Sequence, residues 1–204
     1  MNPGRASMSS KVVLASNNAG KLQEFQQLLA DRDLDVLPQA QFNVCEVEEN
    51  GLSFVENAII KARHASSIAK LPAIADDSGL EVDFLDGAPG IYSARFAGAD
   101  ANDVSNNQKL LELLDGVADE QRSARFQCVL VYLRHPLDPT PLICQGTWEG
   151  RILTAPRGTN GFGYDPLFLE PTSGLASAEL SKAEKNTRSH RAKALQCLLA
   201  QLSQ

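Results

Sequence analysis

Short apolar runs alternate with stretches of helical periodicity along the first half of the chain. Runs such as Val12-Val13-Leu14 end in polar residues and predict buried strands. Ser53 and Glu56 have the spacing of a capping box, which marks the start of a helix. The predicted elements are strands at residues 11–15 and 73–75 and helices at residues 21–30, 53–70 and 104–114, the last capped by Asn102 and Asp103.

The second half of the chain predicts a β-hairpin, a long loop and a terminal helix. Strands are expected at residues 124–133 and 142–153, with a proline-rich turn between them, and a Gly/Pro-rich loop follows at 155–166. A helix should cover residues 184–202, because four leucines of its second half form one apolar stripe. Strands and helices alternate early and a hairpin comes late. This order predicts an α/β fold with a mixed central sheet flanked by helices.

Composition and charge narrow the class of protein. The 204 residues carry a formal net charge of −6, which disfavours nucleic-acid binding. If the ligand is a polyphosphate, a few local cations and a metal must attract it. No stretch approaches the roughly 20 apolar residues of a membrane helix. Four cysteines without a CxxC pair indicate reduced thiols in a cytoplasmic protein. Residues 1–10 lack an apolar segment and are expected to be a disordered extension before one domain at residues 11–204.

Two segments near the start of the chain place cations where an anion could bind. Residues 16–21 are small and polar and end in Lys21, so that amides at a helix start could face a phosphate; an ordinary capped turn explains them equally well. On the helix at 53–70, Lys61 falls on the apolar side with Phe54. An unpaired buried ammonium is costly, so Lys61 needs an anionic partner, either a structural carboxylate or a ligand phosphate.

Two acidic clusters could ligate Mg²⁺, which prefers oxygen ligands shared with phosphates. Asp76 and Asp77 directly follow the strand at 73–75, at the edge where α/β sheets usually bind ligands. The pair favours metal ligation or general-base catalysis over a plain turn. Residues 46–49 contain three glutamates, which taken alone are more typical of a solvated acidic loop.

A loop and a helix late in the chain add a possible nucleotide wall. Residues 161–165 (GFGYD) set aromatics between glycines, which suits a loop that lays a ring flat on a base. Arg191 shares the inward helix face with Leu195. A β-turn and a polar helix start would explain each feature alone. In combination, the segments supply the base-stacking, phosphate-binding and metal-binding parts of one site.

Seven motifs, in one order along nearly the whole chain, resemble those of the inosine triphosphate pyrophosphatase family (RdgB-like XTP/dITP diphosphatases). They are S-x-N-x-x-K at 16–21, E-E at 48–49, F-x-x-N-A-x-x-K-A at 54–62, A-D-D-S-G-L at 75–80, G-A-P-G-I-Y-S-A-R at 87–95, G-F-G-Y-D-P at 161–166 and S-H-R at 189–191. Ser16 and Phe96 stand where the family more often has threonine and tyrosine, and both keep the chemical character of the position.

The resemblance implies a two-lobed, homodimeric enzyme with its active-site cleft between the lobes. The implied reaction is Mg²⁺-dependent hydrolysis of dITP, ITP and XTP to the monophosphate and pyrophosphate, in the cytoplasm and without nucleic acid or membrane. The resemblance assigns Asp77 as the general base beside Asp76, and Glu49 with Asp77 as Mg²⁺ ligands. It assigns substrate binding to Ser16, Asn17, Asn18, Ala19, Gly20, Lys21, Lys61, Ser78, Phe162, Gly163, Tyr164, Asp165, Lys185, His190 and Arg191.

Two other functions account for part of the same pattern. A Maf-like pyrophosphatase would act on modified pyrimidine nucleotides, and comparison of dITP with dUTP and dTTP separates the two enzymes. A non-catalytic nucleotide-binding module would share the binding residues. Such a module has no need for Glu49, Asp76 and Asp77 around a metal, since binding alone requires no base.

Overall fold

The computed structural model describes residues 10–29 and 34–202. Its strands are β1 (Ser10–Leu14), β2 (Leu34–Pro38), β3 (Ala73–Val82), β4 (Ser123–Leu133), β5 (Leu142–Ile152), β6 (Phe168–Glu170) and β7 (Leu175–Ala176). Its α-helices are α1 (Ala19–Leu29), α2 (Phe54–Ala69), α3 (Asp103–Leu113), α4 (Lys182–Arg188) and α5 (His190–Leu202). The expected disordered extension at 1–10 lies outside the described residues, except for Ser10, which begins β1. Within the described ranges, no helix has the length and apolar character needed to cross a membrane.

The strands of the described chain form one mixed sheet in the order β2-β1-β3-β4-β5-β6-β7. β1 lies parallel to both β2 and β3, with Val13 opposite Leu37 on one side and Ala73 on the other. β5, β6 and β7 pair antiparallel. Parallel neighbours need a crossover between them, which α1 and α2 supply, whereas antiparallel neighbours can follow each other directly. The predicted α/β fold with a mixed sheet is confirmed.

The chain divides into two compact units, each with buried apolar side chains. The first contains the described residues up to Asp76, Leu130–Cys144 and residues 197–202; the second contains Asp77–Val129 and Gln145–Gln196. In the first unit, β1, α1 and α2 each bury apolar residues. The core of the second unit consists of Leu80, Val82, Leu110, Leu114, Ala124, Phe126, Trp148, Ile152, Tyr164, Leu167, Phe168 and Leu180.

Side-chain caps fix the starts of α2 and α3. Ser53 Oγ accepts a hydrogen bond from the Glu56 N–H at 3.4 Å, and the Glu56 carboxylate accepts one from the Leu52 N–H at 2.9 Å. The predicted cap of α2 is therefore confirmed, with its return bond at Leu52. α3 follows Asn102, whose side chain accepts from the Ser105 N–H at 3.0 Å while Ser105 bonds back. These contacts satisfy N–H groups that have no partner within the helix.

The strand expected at residues 73–75 is longer than its apolar run. It is β3, which continues to Val82 because Leu80 and Val82 enter the core of the second unit. Asp76 and Asp77 therefore lie inside a strand, and the prediction that they follow its end is wrong. Burial of later residues extended the strand through a polar stretch whose local sequence resembles a turn.

The single helix expected at residues 184–202 is two helices, α4 and α5. Ser189 has an extended backbone (φ −66°, ψ 158°) and separates them. The Ser189 hydroxyl accepts a hydrogen bond from the Ala192 N–H at 3.2 Å, as an N-cap does. Because of this break, His190 and Arg191 are the first two residues of α5 and do not continue α4.

Candidate active site

The first unit contains a polar pocket of about 240 Å³, formed by the end of β1, the start of α1, residues 39–49, α2 and β3. It is lined by Ala15, Ser16, Asn17, Lys21, Gln39, Cys45, Glu46, Val47, Glu49, Lys61, His64 and Asp76. Pockets that hold a whole small-molecule ligand usually enclose about 300–1,000 Å³. The volume therefore suits part of a nucleotide, such as its phosphates.

An ion pair between Lys21 and Asp76 lies in this pocket. Lys21 Nζ is 2.8 Å from Asp76 Oδ2, and the side chains are 19% and 1% exposed. A carboxylate this buried is stable as an anion only with a partner such as this ammonium. The pair brings together Lys21, which the family resemblance assigns to substrate binding, and Asp76, which it assigns to catalysis.

The turn before α1 is held by its own side chains. Asn18 Oδ1 accepts a hydrogen bond from the Lys21 N–H at 3.0 Å, and Ser16 Oγ accepts one from the Asn18 N–H at 3.1 Å. Two of the amides expected to face an anion are thus bonded within the turn. Residues 18–20 are exposed and do not line the pocket, whereas Ser16 and Asn17 do.

Lys61 points inward from α2, as the helical pattern predicts. It lies on the same face as buried Ala58 and Ala65, three residues before it and four after it. Its Nζ is 3.1 Å from Glu49 Oε2, with side-chain exposures of 16% and 32%. Of the two kinds of partner left open by the sequence, this structure contains the carboxylate. The glutamate run at 46–49 therefore reaches the pocket instead of forming only a solvated loop.

The donor set of the pocket fits one class of metal. With His64 neutral, the two lysines and three carboxylates that line the pocket give it a formal charge of minus one. In the part of the chain that the structure describes, no three His, Cys, Asp or Glu side chains converge as a metal cage. Mg²⁺ is usually bound by one or two carboxylates and completes its shell with water and substrate phosphates. The carboxylates of Glu49 and Asp76 are oxygen donors of this kind.

Asp77 begins the second unit and is 8% exposed. Consecutive side chains on a strand point to opposite faces, so Asp77 and Asp76 occupy different surroundings in β3. Their separation onto two faces reduces the repulsion between neighbouring carboxylates. Two adjacent acids can consequently have different roles.

Asp165 is the centre of a hydrogen-bond cluster in the second unit. Its carboxylate accepts from Lys185 Nζ at 2.6 Å, from Ser177 Oγ at 2.6 Å and from the Phe162 N–H at 3.0 Å. Gly161 has φ +82°, and a Cβ on it would overlap Asp165 Oδ2. Only glycine therefore fits at this position. The cluster joins three residues assigned to substrate, and it ties the 161–165 loop to α4.

The two aromatic residues of this loop have opposite environments. Phe162 is 56% exposed, as a ring that stacks on a base must be. Tyr164 is 5% exposed and lies in the core, where its hydroxyl donates to the Ser93 carbonyl at 2.8 Å. Burial, followed by the charge of Asp103, raises the pKa of Tyr164, which keeps this hydroxyl protonated. The Tyr164 ring thus fills the core, and Phe162 is the aromatic residue of this loop that is exposed enough to stack on a base.

Two residues of α3 also hold the loop. Asp103 Oδ2 accepts from the Gly163 N–H at 2.7 Å, and Asn107 Nδ2 donates to the Gly163 carbonyl at 2.8 Å and to the Asp103 carbonyl at 2.7 Å. Both backbone groups of Gly163 are thus fixed by α3. The capping pattern assigns Asp103 only a role at the start of the helix, and Asn107 belongs to none of the seven motifs. Their four-residue spacing on a helix is the only local signal, and many helices share it.

Ser78, His190 and Arg191 lie in the second unit. Arg191 is 7% exposed, which confirms its inward position, and its Nη2 lies 3.3 Å from Ser78 Oγ. The His190 ring stacks on Phe126, with ring centroids 4.9 Å apart and 19° between planes, and lies 6.5 Å from Trp148. These aromatic contacts fix the histidine ring at the start of α5.

Comparison with known proteins gives consistent matches over nearly the whole chain. A sequence model of the Ham1 family matches residues 12–201. A dITP/XTP pyrophosphatase of Vibrio parahaemolyticus is 61% identical over 193 residues, or 95% of this chain and 96% of the relative. One from Escherichia coli K12 is 59% identical over 189 residues, or 93% and 96%.

Solved structures agree with the sequence matches. The structure of a HAM1 protein from Coxiella burnetii has a TM-score of 0.91 at 50% identity and covers 95% of this chain and 98% of its own. That of a Staphylococcus aureus Ham1 protein has a TM-score of 0.87 at 40% identity, over 95% and 98%. The resemblance found in the sequence motifs is confirmed, and the chain belongs to the Ham1 family.

Proposed function

We propose that the chain hydrolyses non-canonical purine nucleoside triphosphates (dITP, ITP and XTP) to the monophosphate and pyrophosphate, with Mg²⁺. The observation that carries the proposal is the pocket in which two lysine–carboxylate pairs, Lys21–Asp76 and Lys61–Glu49, lie together. The name dITP/XTP pyrophosphatase, carried by relatives at about 60% identity, supports the substrate class. The cellular role would be removal of deaminated purines from the nucleotide pool.

The charge of the pocket supports a metal-dependent reaction. A lining with a formal charge of minus one does not attract a triphosphate by itself. A divalent cation on the carboxylates would make the lining positive and leave the two ammonium groups for phosphate oxygens. When bound, Mg²⁺ supplies Lewis-acid stabilisation of charge on the phosphates. Within the pocket, Glu49 and Asp76 are the carboxylates that would hold the cation, and the family resemblance assigns Asp77 as a further ligand.

The proposed chemistry requires little covalent participation by the protein. Asp77 accepts a proton from the water that attacks the α-phosphorus, and Lys21 and Lys61 stabilise charge on the departing pyrophosphate. Ser16 and Asn17 donate hydrogen bonds to the phosphates from the pocket wall. Positioning and electrostatics then supply most of the rate, as in other phosphoryl transfers.

We propose that the second unit binds the nucleoside part of the substrate. Phe162 offers an exposed ring for stacking, and Asp165, Lys185 and Arg191 are held in place by contacts described above. The 6-oxo group of hypoxanthine and xanthine accepts hydrogen bonds, whereas the 6-amino group of adenine donates them. Donors placed for an oxygen are left unpaired by ATP, and such mismatches can discriminate by about 10⁴-fold.

The test is pyrophosphate release from dITP, XTP, ATP, GTP, dUTP and dTTP, each with Mg²⁺ and with EDTA. The proposal predicts strong release from dITP and XTP that EDTA abolishes, and little from the other four. Release mainly from dUTP or dTTP would favour the Maf-like alternative. Tight binding of dITP without any turnover would favour a non-catalytic module.

We further propose that the enzyme is a homodimer located in the cytoplasm. Its ligand would be the nucleotide, and it would bind neither nucleic acid nor a membrane. The family resemblance supports the dimer, and the net charge of −6 opposes binding to nucleic acid. Light scattering coupled to size-exclusion chromatography tests the assembly. A mass of about twice the 22.0 kDa of one chain is expected, and a single-chain mass contradicts the dimer.

A further inference from the structure

Two cysteine side chains converge in the first unit, away from the pocket lining. Cys144 lies in β5 and Cys197 in α5, and Gln201 Nε2 is 3.3 Å from the first sulfur and 3.4 Å from the second. All four cysteines are free thiols in this structure. The two thiols thus lie beside one amide group although 52 residues of chain separate them, and a suitable backbone distance would allow a disulfide between them.

The backbones of β5 and α5 come unusually close beside this pair. A Cβ on Gly146 would overlap the His190 carbonyl oxygen and would lie 2.7 Å from the Ala194 nitrogen. Cys144 shares the face of Gly146, two residues before it, and Cys197 continues the helical stripe of His190 and Ala194. A disulfide needs Cα atoms about 4.4–6.8 Å apart, which helix and strand reach only where no larger side chain separates them.

The spacing along the two elements also matches. From the midpoint between His190 and Ala194 to Cys197, the helix advances five residues, or about 7.5 Å. From Gly146 back to Cys144, the strand covers two residues, or about 6.7 Å. The close approach at Gly146 therefore continues, in step, to the two cysteines.

We propose that Cys144 and Cys197 form a reversible intrachain disulfide when the protein meets a peroxide or a low-molecular-weight disulfide. This modification site is independent of the proposed function. The two sulfur atoms already lie beside the same amide nitrogen, so the bond would join elements that are in contact. The bond would cross-link α5 to β5.

The environments of the two thiols set the order of the steps. Cys144 is fully buried, and burial together with the hydrogen bond that its thiol donates to Cys197 raises its pKa to about 12. Cys197 is half-buried and is therefore the thiol that an oxidant reaches first. Its thiolate attacks hydrogen peroxide to give a sulfenic acid and hydroxide. Cys144 sulfur then attacks the sulfenic sulfur and loses its proton, and water leaves. Two thiols and one peroxide thus give one disulfide and two waters.

The experiment is peptide mapping of the whole native protein after oxidation. Trypsin places the four cysteines on four different peptides, with Cys144 on residues 135–151 and Cys197 on residues 194–204. The protein is treated with hydrogen peroxide or diamide, denatured at neutral pH in excess N-ethylmaleimide to block free thiols, and digested without reductant. The expected product is the cross-linked pair of these two peptides, at least tenfold more abundant than any other disulfide. Dithiothreitol should return both thiols.

Cys45 provides the internal comparison. It is the exposed cysteine of the described chain, so an oxidant that acts by exposure alone would modify it first. Cys197→Ser should abolish the cross-linked pair and the accompanying rise in Tm, expected at about 5 °C or more in the oxidised wild type. The proposal is overturned if an oxidant treatment that oxidises Cys45 leaves both Cys144 and Cys197 as free thiols, detected by their reaction with N-ethylmaleimide after denaturation. Disulfides that join only two chains would overturn it equally.

Discussion

Replacement of Lys61 by methionine removes an ammonium from the pocket while keeping an unbranched side chain of similar length. Lys61 Nζ lies 3.1 Å from Glu49 Oε2, and the side chain is 16% exposed. A phosphate oxygen in this pocket would therefore meet a partly desolvated charge. Hydrogen bonds to charged groups contribute about 1.5–3 kcal/mol, and each 1.36 kcal/mol or so corresponds to tenfold in rate. We expect kcat/KM for dITP to fall about 10- to 150-fold.

The same change should have little effect on the free energy of unfolding. Glu49 remains one-third exposed, and ion pairs with this much solvent contribute about 0–1 kcal/mol to stability. For a chain of this size, that corresponds to a decrease in Tm of no more than about 4 °C. Arg63→Met is the matched control, since Arg63 lies on the exposed side of the same helix. It removes a cation from α2 without removing one from the pocket.

The assay is steady-state release of pyrophosphate from dITP at saturating Mg²⁺, with Tm measured on the same samples. The expected result is a large loss of kcat/KM in Lys61→Met and a change smaller than twofold in Arg63→Met. If both variants retain kcat/KM within twofold of the wild type, the inward lysine has no part in binding phosphate. A loss in both variants would instead indicate that the overall charge of α2 matters.

Three further predictions concern the second unit. Asp165→Asn leaves the Lys185 ammonium without its carboxylate. Because breaking a buried ion pair costs about 3–5 kcal/mol, the Tm should fall by about 5 °C or more in a thermal melt, and an unchanged Tm contradicts this. Asn107→Ala removes the hydrogen bond that α3 donates to the Gly163 carbonyl, so KM for dITP should rise several-fold in steady-state kinetics with kcat little changed. An equal fall in kcat at constant KM would contradict a positioning role. Burial raises the pKa of Glu170, but hydrogen bonds from the following turn outweigh burial and hold the pKa at about 2. The free energy of unfolding, measured in urea, should therefore fall as the pH is lowered from about 5 to about 2, and Glu170→Gln should reduce that fall. An equal dependence of this free energy on pH in both proteins would refute the prediction.

Elements with a strong local signal were predictable from the sequence. The capping pattern at Ser53 located α2, and long apolar runs located β4 and β5 to within one residue. The three short strands β2, β6 and β7 were not predicted, because two to five residues contain too few alternations to define a period. The polar second half of β3 is a strand because later residues are buried, and the break at Ser189 depends on a single hydroxyl cap. Hydrophobic periodicity predicts neither feature.

The candidate site was predictable to the extent that helical geometry determined it. The helical pattern placed Lys61 and Arg191 on inward faces, and both are largely buried. Partners that are distant in sequence could not be predicted in the same way. Asn107 and Gly163, for example, are 56 residues apart and meet only through the fold. The family motifs contained Tyr164 but could not indicate that its ring belongs to the core.

The most direct test of the proposed reaction is the fate of solvent oxygen. Hydrolysis of dITP in water enriched in ¹⁸O, followed by mass spectrometry of both products, identifies the phosphorus atom that is attacked. If Asp77 activates water toward the α-phosphorus, one ¹⁸O should appear in the monophosphate and none in the pyrophosphate. Label in the pyrophosphate, or release of single phosphate groups, would contradict the account.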